Sequence, residues 1–304
     1  MLPRLPSVRE LIKLYGLSAR SQLGQNFILD KNITDKIVRT AHLSQQTPLV
    51  VEVGPGPGLL TRSILDTGVK RIAAIEKDER FLPTLTQLAE ASGGRLRIIH
   101  GNALEVSSSL HALAPLLPKE DASGPLHIMG NLPFNVASPL LIQWLHQSAA
   151  REGLFKLGDV WMTLMFQKEV GERLAAPPST EHRGRLSVMA QSLCDVSTVY
   201  QVPSTVFVPR PKVDASVVQL KPLETKLTGE TYKTLEHVVR HYFTKRRKTV
   251  GHITKHLGKN LPQVAPLIPR IEEVVDFKAR PEDLSNMDFY QMASIFHEHG
   301  IHSL

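Results

Sequence analysis

From Leu49 to Asn131 the hydrophobic pattern alternates between the period of a strand and that of a helix. Leu49-Val50-Val51-Glu52-Val53 is a short, nearly continuous β-type run. Leu59 to Leu65 then reads as a helix, Arg71 to Glu76 as a second strand, and Asp78 to Glu90 as a helix with Pro83 within its first turns. Arg95 to His100 makes a third strand and Leu126 to Met129 a fourth. This rhythm predicts an α/β fold, a doubly wound parallel sheet with helices on both faces. Residues 115–125 and Ala176–Thr180, rich in Pro, Ser and Gly, read as loops. After Leu220 the pattern turns helical and dense in basic residues, over His237–Leu257 and Pro281–His297. The expected division is a basic N-terminal segment over 1–25, the α/β domain over 26–225 and a smaller helical domain over 226–304.

The first 25 residues set Arg4, Arg9, Lys13 and Arg20 against the single acid Glu10, and Leu11, Ile12, Leu14 and Leu17 share roughly one helical face. Three readings fit: the end of a mitochondrial presequence, a basic arm for nucleic acid, or an ordinary surface helix. Across the 304 residues, 36 Lys+Arg against 29 Asp+Glu give a formal net charge of +7, which suggests an anionic partner. With 42% hydrophobic and 21% charged residues, wholesale disorder is excluded. Cys194 is the only cysteine, which excludes an internal disulfide framework and a multi-cysteine zinc site and favours a reducing, intracellular compartment. No apolar run reaches the roughly 18 residues that a membrane span needs.

Two segments carry candidate chemistry. Glu52-Val53-Gly54-Pro55-Gly56-Pro57-Gly58 follows the first strand and opens a helix. Glycines allow a tight turn and let a ligand approach the main chain with no Cβ in the way. A dinucleotide fingerprint would need a further glycine where Leu59 stands, and Pro55 and Pro57 remove N–H donors that a phosphate would use. Glu76 closes the second strand 22 residues after Gly54, where an acid can bind both hydroxyls of a ribose. A nucleoside cofactor without a critical phosphate fits, and S-adenosylmethionine is the obvious candidate. The blander reading is a glycine-rich turn with a coincidental Glu.

Gly130-Asn131-Leu132-Pro133-Phe134 follows the fourth strand, at the edge where doubly wound sheets place ligands. Asn131 offers an oxygen that accepts from an exocyclic amine, Pro133 stiffens the backbone and leaves carbonyls aimed outward, and Phe134 gives a flat face for a base. An amine so held is ready for methyl transfer without a strong base. The alternative is a helix-capping Asn followed by a core Phe. Further along, Lys245, Arg246, Arg247 and Lys248, with Arg240, Lys255 and Lys259, suggest a surface that tracks phosphates, although four consecutive cations on a helix cannot share one face. The pairs His237/His241 and His252/His256 have zinc-like spacing but lack the Glu of H-E-x-x-H and a third ligand, so no metal is expected. Cys194 reads as a small core residue.

In this order the motifs resemble the small-subunit ribosomal RNA adenine dimethyltransferase family, the KsgA type, over almost the whole chain. Gln25-Asn26-Phe27-Ile28-Leu29-Asp30 is similar to its N-terminal cofactor segment, and Glu76-Lys77, Gly101-Asn102-Ala103 and Asn131–Phe134 follow with the family's spacing. Phe207-Val-Pro209-Arg-Pro211-Lys-Val213-Asp-Ala-Ser216 resembles its F-x-P-x-P-x-V-x-S block, and Phe243, Arg246–Lys248 and Arg280–Leu284 its helical domain. Phe134, where bacterial members carry Tyr, and the blocks Gln167–Leu174 and Arg185–Gln191 are similar to mitochondrial members.

The resemblance implies a Rossmann-like class I methyltransferase sheet and S-adenosylmethionine as cofactor. The activity it implies is N6 dimethylation of two adjacent adenosines in a hairpin loop of small-subunit rRNA. It places Asn131, Pro133, Phe134 and Phe207 at the target base. It places Gln25, Asn26, Ile28, Gly54, Gly56, Glu76, Lys77, Asn102, Ala103 and Asn131 around the cofactor. Asn102 stands where the family has an Asp against the adenine, so cofactor affinity is expected to be tuned rather than abolished. A monomer acting on an assembling mitochondrial ribosomal subunit is the expected setting, with the cytoplasm as the alternative. Two other classes remain: a non-catalytic nucleic-acid-binding factor for ribosome assembly or mitochondrial transcription, and a DNA adenine methyltransferase.

Overall fold

The computed structural model of the chain describes residues 6–16, 25–117, 124–224 and 227–304. Arg4, Leu17 and Arg20 of the basic start lie outside them. The chain opens with α1 (Val8–Leu14), β1 (Phe27–Ile28) and α2 (Lys31–Thr40). The alternating region follows as β2 (Val50–Val53), α3 (Leu59–Asp66), β3 (Ile72–Glu76), α4 (Leu82–Ala91), β4 (Leu96–His100), α5 (Ala103–Ser109), β5 (Leu126–Gly130) and α6 (Phe134–Ala150). Then come β6 (Val160–Gln167), α7 (Lys168–Leu174), α8 (Arg185–Gln191), β7 (Cys194–Val202), β8 (Phe207–Val208) and β9 (Ala215–Pro222). The remainder is helical: α9 (Gly229–Thr244), α10 (Val250–Asn260), α11 (Ile268–Val274) and α12 (Asn286–Glu298).

Seven strands form one sheet in the order β4-β3-β2-β5-β6-β9-β7. The first five are parallel neighbours and β9 runs antiparallel to β6, from Met162 opposite Leu220 to Gln167 opposite Ala215. Every residue of β2, β3 and β5 is buried, which is why their sequences read as continuous apolar runs rather than alternations. Strand β4, at the sheet's edge, alternates more visibly, with Arg97 and His100 exposed. From β2 the chain winds one way through β3 and β4, then returns to β5 on the other side. The switch point therefore lies between β2 and β5, and the carboxyl ends of β2, β3 and β5 carry the glycine loop, Glu76 and Asn131.

Three expected helices differ in detail. The helix expected from Asp78 starts as a 3₁₀ turn, Glu79–Phe81, because the Asp78 carboxylate accepts from Arg80 N; α4 then begins with Pro83 in its first turn, where a missing N–H costs no bond. The expected run His237–Leu257 is two helices. It breaks at residues 245–249, where Lys245 leaves helical geometry and the Thr249 hydroxyl accepts from His252 N to start α10. The run from Pro281 is a 3₁₀ turn, Pro281–Asp283, followed by α12 with a Ser285/Asp288 capping box.

The start of the chain is part of the fold. Helix α1 is opened by a Ser7/Glu10 capping box and buries Val8 and Leu11, while Ile12 packs against the Phe81–Leu85 cluster. Arg62 Nη1 donates to Pro6 O at 2.8 Å and Gln87 Nε2 to the Tyr15 hydroxyl at 2.6 Å. Its described part is thus a docked helix.

The chain separates into two compact units. The first comprises Met1–Gln143, Glu152–Gly171 and Ser197–Pro222; the second comprises Trp144–Arg151, Glu172–Val196 and Leu223–Leu304. The second unit therefore takes in two stretches that a linear reading leaves with the sheet. Within it, Phe243 of α9 stacks on Phe289 of α12 at 5.7 Å, and the Tyr242 hydroxyl bonds that of Thr254 at 2.7 Å. Arg183 is fully buried there and has no carboxylate partner among the described residues. It donates instead to Ala176 O, Leu284 O and the Gln191 and Asn286 side chains, which ties the 176–183 loop to the start of α12. Cys194 is buried.

Candidate active site

The glycine loop turns because Gly54, at φ +67°, and Gly56, at φ +53°, adopt backbone that side-chain-bearing residues avoid. A Cβ on Gly56 would also lie 3.5 Å from the Phe27 ring. At the end of β5 the packing is tighter still. A Cβ on Gly130 would meet Val53 O at 2.7 Å, so only glycine lets the strand that delivers Asn131 lie against β2.

These ends enclose a cavity of about 730 Å³. Its wall takes Gln25, Asn26 and Ile28 from the segment around β1, and Gly54 and Gly56 from the loop after β2. Glu76 and Lys77 come from the end of β3, Asn102 and Ala103 from the start of α5, and Asn131 and Pro133 from the turn after β5. The residues expected around the cofactor thus share one enclosure. Phe134 opens α6 half-buried, its ring packed against the core rather than on the cavity wall. Phe207 is 2% exposed, sits opposite Ile28 in the two-stranded β1–β8 ladder and does not line the cavity.

The Glu76 carboxylate accepts from Gly56 N at 3.0 Å and from Asp78 N at 2.7 Å, so it both holds the loop and faces the cavity. Burial raises its pKa, against the pull of those two N–H groups. Glu52, at the root of the loop, is fully buried, and neither of its oxygens has a hydrogen-bond partner among the described residues; the neighbouring Thr61 hydroxyl likewise has none. Burial, reinforced by the Glu76 charge, pushes the Glu52 carboxyl up to about 8. An acid raised in the folded state stabilises the fold fully below its unfolded value, about 4.5, and that contribution is lost as pH rises through about 8. Replacing Glu52 by Gln is therefore expected to flatten the fall of the urea midpoint between pH 5 and 8. A slope as steep as the parent's would assign it to other groups.

Asn131 donates through Nδ2 to the Asn26 backbone carbonyl at 3.1 Å, which fixes the amide's orientation and leaves Oδ1 to accept. The Pro133 carbonyl is not aimed outward as expected: it accepts from Val136 N and Ala137 N and begins α6. The Asn102 side chain caps α5, with Oδ1 accepting from Leu104 N at 3.2 Å and Nδ2 donating to Glu105 at 3.4 Å.

Asp78 and Arg80 also line the cavity and carried no sequence signal of a site. Gln25 Nε2 donates to Asp78 Oδ2 at 3.0 Å, and Arg80 Nη2 donates to Gln25 Oε1 at 3.3 Å. Arg80 also forks onto the Asp78 carboxylate, and its hydrogen bonds hold that group down at about 2.

In the second unit, Arg240 bonds His237 Nδ1 and Lys245 approaches His256 Nδ1 at 3.4 Å. Residues 245–248 form a turn rather than a helix face. Arg246 is occupied by Glu282 at 3.1 Å and Glu181 O at 3.4 Å, whereas Arg247 and Lys248 are exposed and make no ion pair among the described residues. No group of three side chains that could hold a metal occurs among the described residues, and none of their helices is long and apolar enough to cross a membrane.

The cavity offers the Glu76 carboxylate and the Asn131 amide beside a glycine loop, which fits a nucleoside with free ribose hydroxyls. A doubly wound sheet with this site is that of an S-adenosylmethionine-dependent methyltransferase. Residues 16–298 match the model of the family described as ribosomal RNA adenine dimethylase, and the chain belongs to that family. It is 43% identical over 300 residues to dimethyladenosine transferase 1, mitochondrial, of Xenopus laevis, covering 98% of this chain and 87% of that one. Against the Homo sapiens protein of the same name it is 42% identical over 304 residues, covering 97% and 86%. Its structure is similar to that of a dimethyladenosine transferase from Plasmodium falciparum, with a TM-score of 0.68 and 25% identity over 90% of this chain and 98% of that one. It shares its fold with the 23S rRNA methyltransferase ErmE, at a TM-score of 0.60 and 20% identity over 89% and 99%.

Proposed function

We infer that the chain transfers methyl groups from S-adenosylmethionine to the N6 amines of two adjacent adenosines in a hairpin loop of small-subunit ribosomal RNA, in mitochondria. Family membership supports the reaction and the names of the relatives support the setting. The observation that carries the catalytic reading is the Asn131 amide, held through Nδ2 so that Oδ1 is presented at the cavity.

Bound S-adenosylmethionine supplies an activated methyl group on a sulfonium centre. Glu76 would accept from the ribose hydroxyls while staying bonded to Gly56 N, and Gln25, Asn26, Ile28, Lys77 and Ala103 would complete the enclosure around the cofactor. Asn102 fixes the start of α5 through Oδ1, and the second lone pair of that oxygen would accept from the cofactor adenine, tuning affinity without the charge of an Asp. Asn131 Oδ1 accepts from the target N6–H and orients the nitrogen lone pair towards the cavity. Pro133 stiffens the turn and the accessible part of Phe134 offers the base a face. The amine loses its proton after attack, so no strong base is required. The working partner is the assembling small subunit, met by a monomer through cations of the second unit.

Incubating the chain with labelled cofactor and immature mitochondrial small subunits tests the reading, with label expected on adenosine. Binding without transfer would instead assign a non-catalytic assembly or transcription factor, and label on DNA a DNA methyltransferase. Neutralising Arg247 and Lys248 together is expected to flatten the dependence of RNA affinity on log salt, by somewhat less than one unit for each phosphate that is no longer neutralised. Arg246→Gln should leave that slope nearly unchanged, because its guanidinium is tied to Glu282. Equal slopes for all three would take the turn out of the RNA interface.

A further inference from the structure

Residues 25–28 cross the cavity as a short strap gripped from two directions. On one side Phe27 and Ile28 pair with Val208 and Phe207. On the other, the Gln25 side chain is clasped by Asp78 and Arg80, at 3.0 and 3.3 Å. Arg80 in turn lies 5.5 Å over the Phe81 ring, and Phe81 meets Phe27 edge to face at 5.4 Å. The residue between these two gripped side chains is Asn26, whose carbonyl receives the Asn131 amide.

We propose that the turn from Asp78 to Phe81 is a positioning element for methyl transfer: by clasping Gln25 and Phe27 it fixes the Asn26 carbonyl, and so decides which way the Asn131 amide faces. The proposal rests on the catalytic reading of Asn131 given above. An Asn amide can turn about its last bond, and its two ends have opposite hydrogen-bonding roles. A carbonyl held in place accepts only from the Nδ2 end, so Oδ1 is presented to substrate. A strap free to shift would let the amide sample both orientations, of which one aims N–H at the target amine. Asp78, Arg80 and Gln25 thus act through Asn131 and touch no reacting atom. Both bonds to Gln25 are charge-assisted, and the Asp78–Arg80 pair that makes them is itself held rigid by a forked contact. Its members lie 53 and 55 residues from Gln25 in the sequence.

The test uses the full chain with two variants that loosen the clasp from opposite sides. Asp78→Asn keeps a side chain able to cap the 3₁₀ turn but removes the charge that Arg80 grips. Gln25→Ala removes the strap's own handle. The readout is the side-chain NH₂ signal of Asn131 in an amide NMR spectrum, assigned by its disappearance in Asn131→Ala. In both variants that signal is expected to move towards the position of a free amide and to exchange with water faster, while thermal unfolding changes little. Single-turnover methyl transfer at saturating cofactor should slow about tenfold, as expected for a misplaced reacting group. An Asn131 signal unchanged in both variants overturns the proposal, and if Asp78→Asn does not fold, Gln25→Ala decides alone. Full methyl transfer by Asn131→Ala is a different failure: it removes Asn131 from the chemistry, whatever the clasp does to its signal.

Discussion

Asn131→Ala is expected to lower single-turnover methyl transfer by about 100-fold or more, the usual cost of removing one preorganised partner of the transition state. The fold should survive. Asn131 is half-buried, and its one bond, to the Asn26 carbonyl, is worth about 0.5–1.5 kcal/mol. Thermal unfolding and cofactor titration separate the two effects: near-parental values alongside lost transfer place the defect in the chemistry. Normal turnover by a folded variant would leave the cavity as a binding site whose acceptor lies elsewhere.

The second large effect belongs to Glu76. Its carboxylate holds Gly56 N and Asp78 N, and under the proposed reading it also accepts from two ribose hydroxyls. Hydrogen bonds to a charged group are worth about 1.5–3 kcal/mol each. Losing the ligand's share of them by Glu76→Ala should weaken S-adenosylmethionine binding by about 100-fold, equivalent to about 2.7 kcal/mol. Glu76→Gln should fall between, since one oxygen is kept while its new N–H₂ end faces amide donors. Calorimetric titration of the cofactor into the three proteins checks the order. An affinity unchanged in Glu76→Ala would mean that the carboxylate serves the loop alone.

Where burial is complete on both faces, sequence and structure agree closely. Strands β2, β3 and β5 read directly as apolar runs, and their carboxyl ends supply the residues that gather at the cavity. What stayed hidden depends on distant pairing. Strand β9 takes its place by pairing with β6 on one side and β7 on the other, and a strand as short as Phe27–Ile28 has no period to read. The Gln25–Asp78–Arg80 clasp likewise joins remote residues, with nothing in the spacing to announce it. Local chemistry misled in two places. Lys245 to Lys248 are good helix formers, yet the helix stops there because Thr249 caps the next one. Pro133 follows the strand end where carbonyls are expected to face outward, yet its oxygen accepts from Val136 N and Ala137 N and begins α6.

That ladder also orders events in time. Phe27 pairs with Val208, so the second of the two grips on the segment bearing Asn26 closes only once the chain beyond residue 208 is available. During synthesis the glycine loop, Glu76 and Asn131 all emerge while their N-terminal strap has no strand to pair with. Closing a loop of that length is entropically slow compared with forming the helices it contains. The nascent chain therefore carries the sheet's ligand-binding edge well before it carries both grips on the strap. Cofactor protection of the strap against protease should appear late in translation, after β8 has left the ribosome.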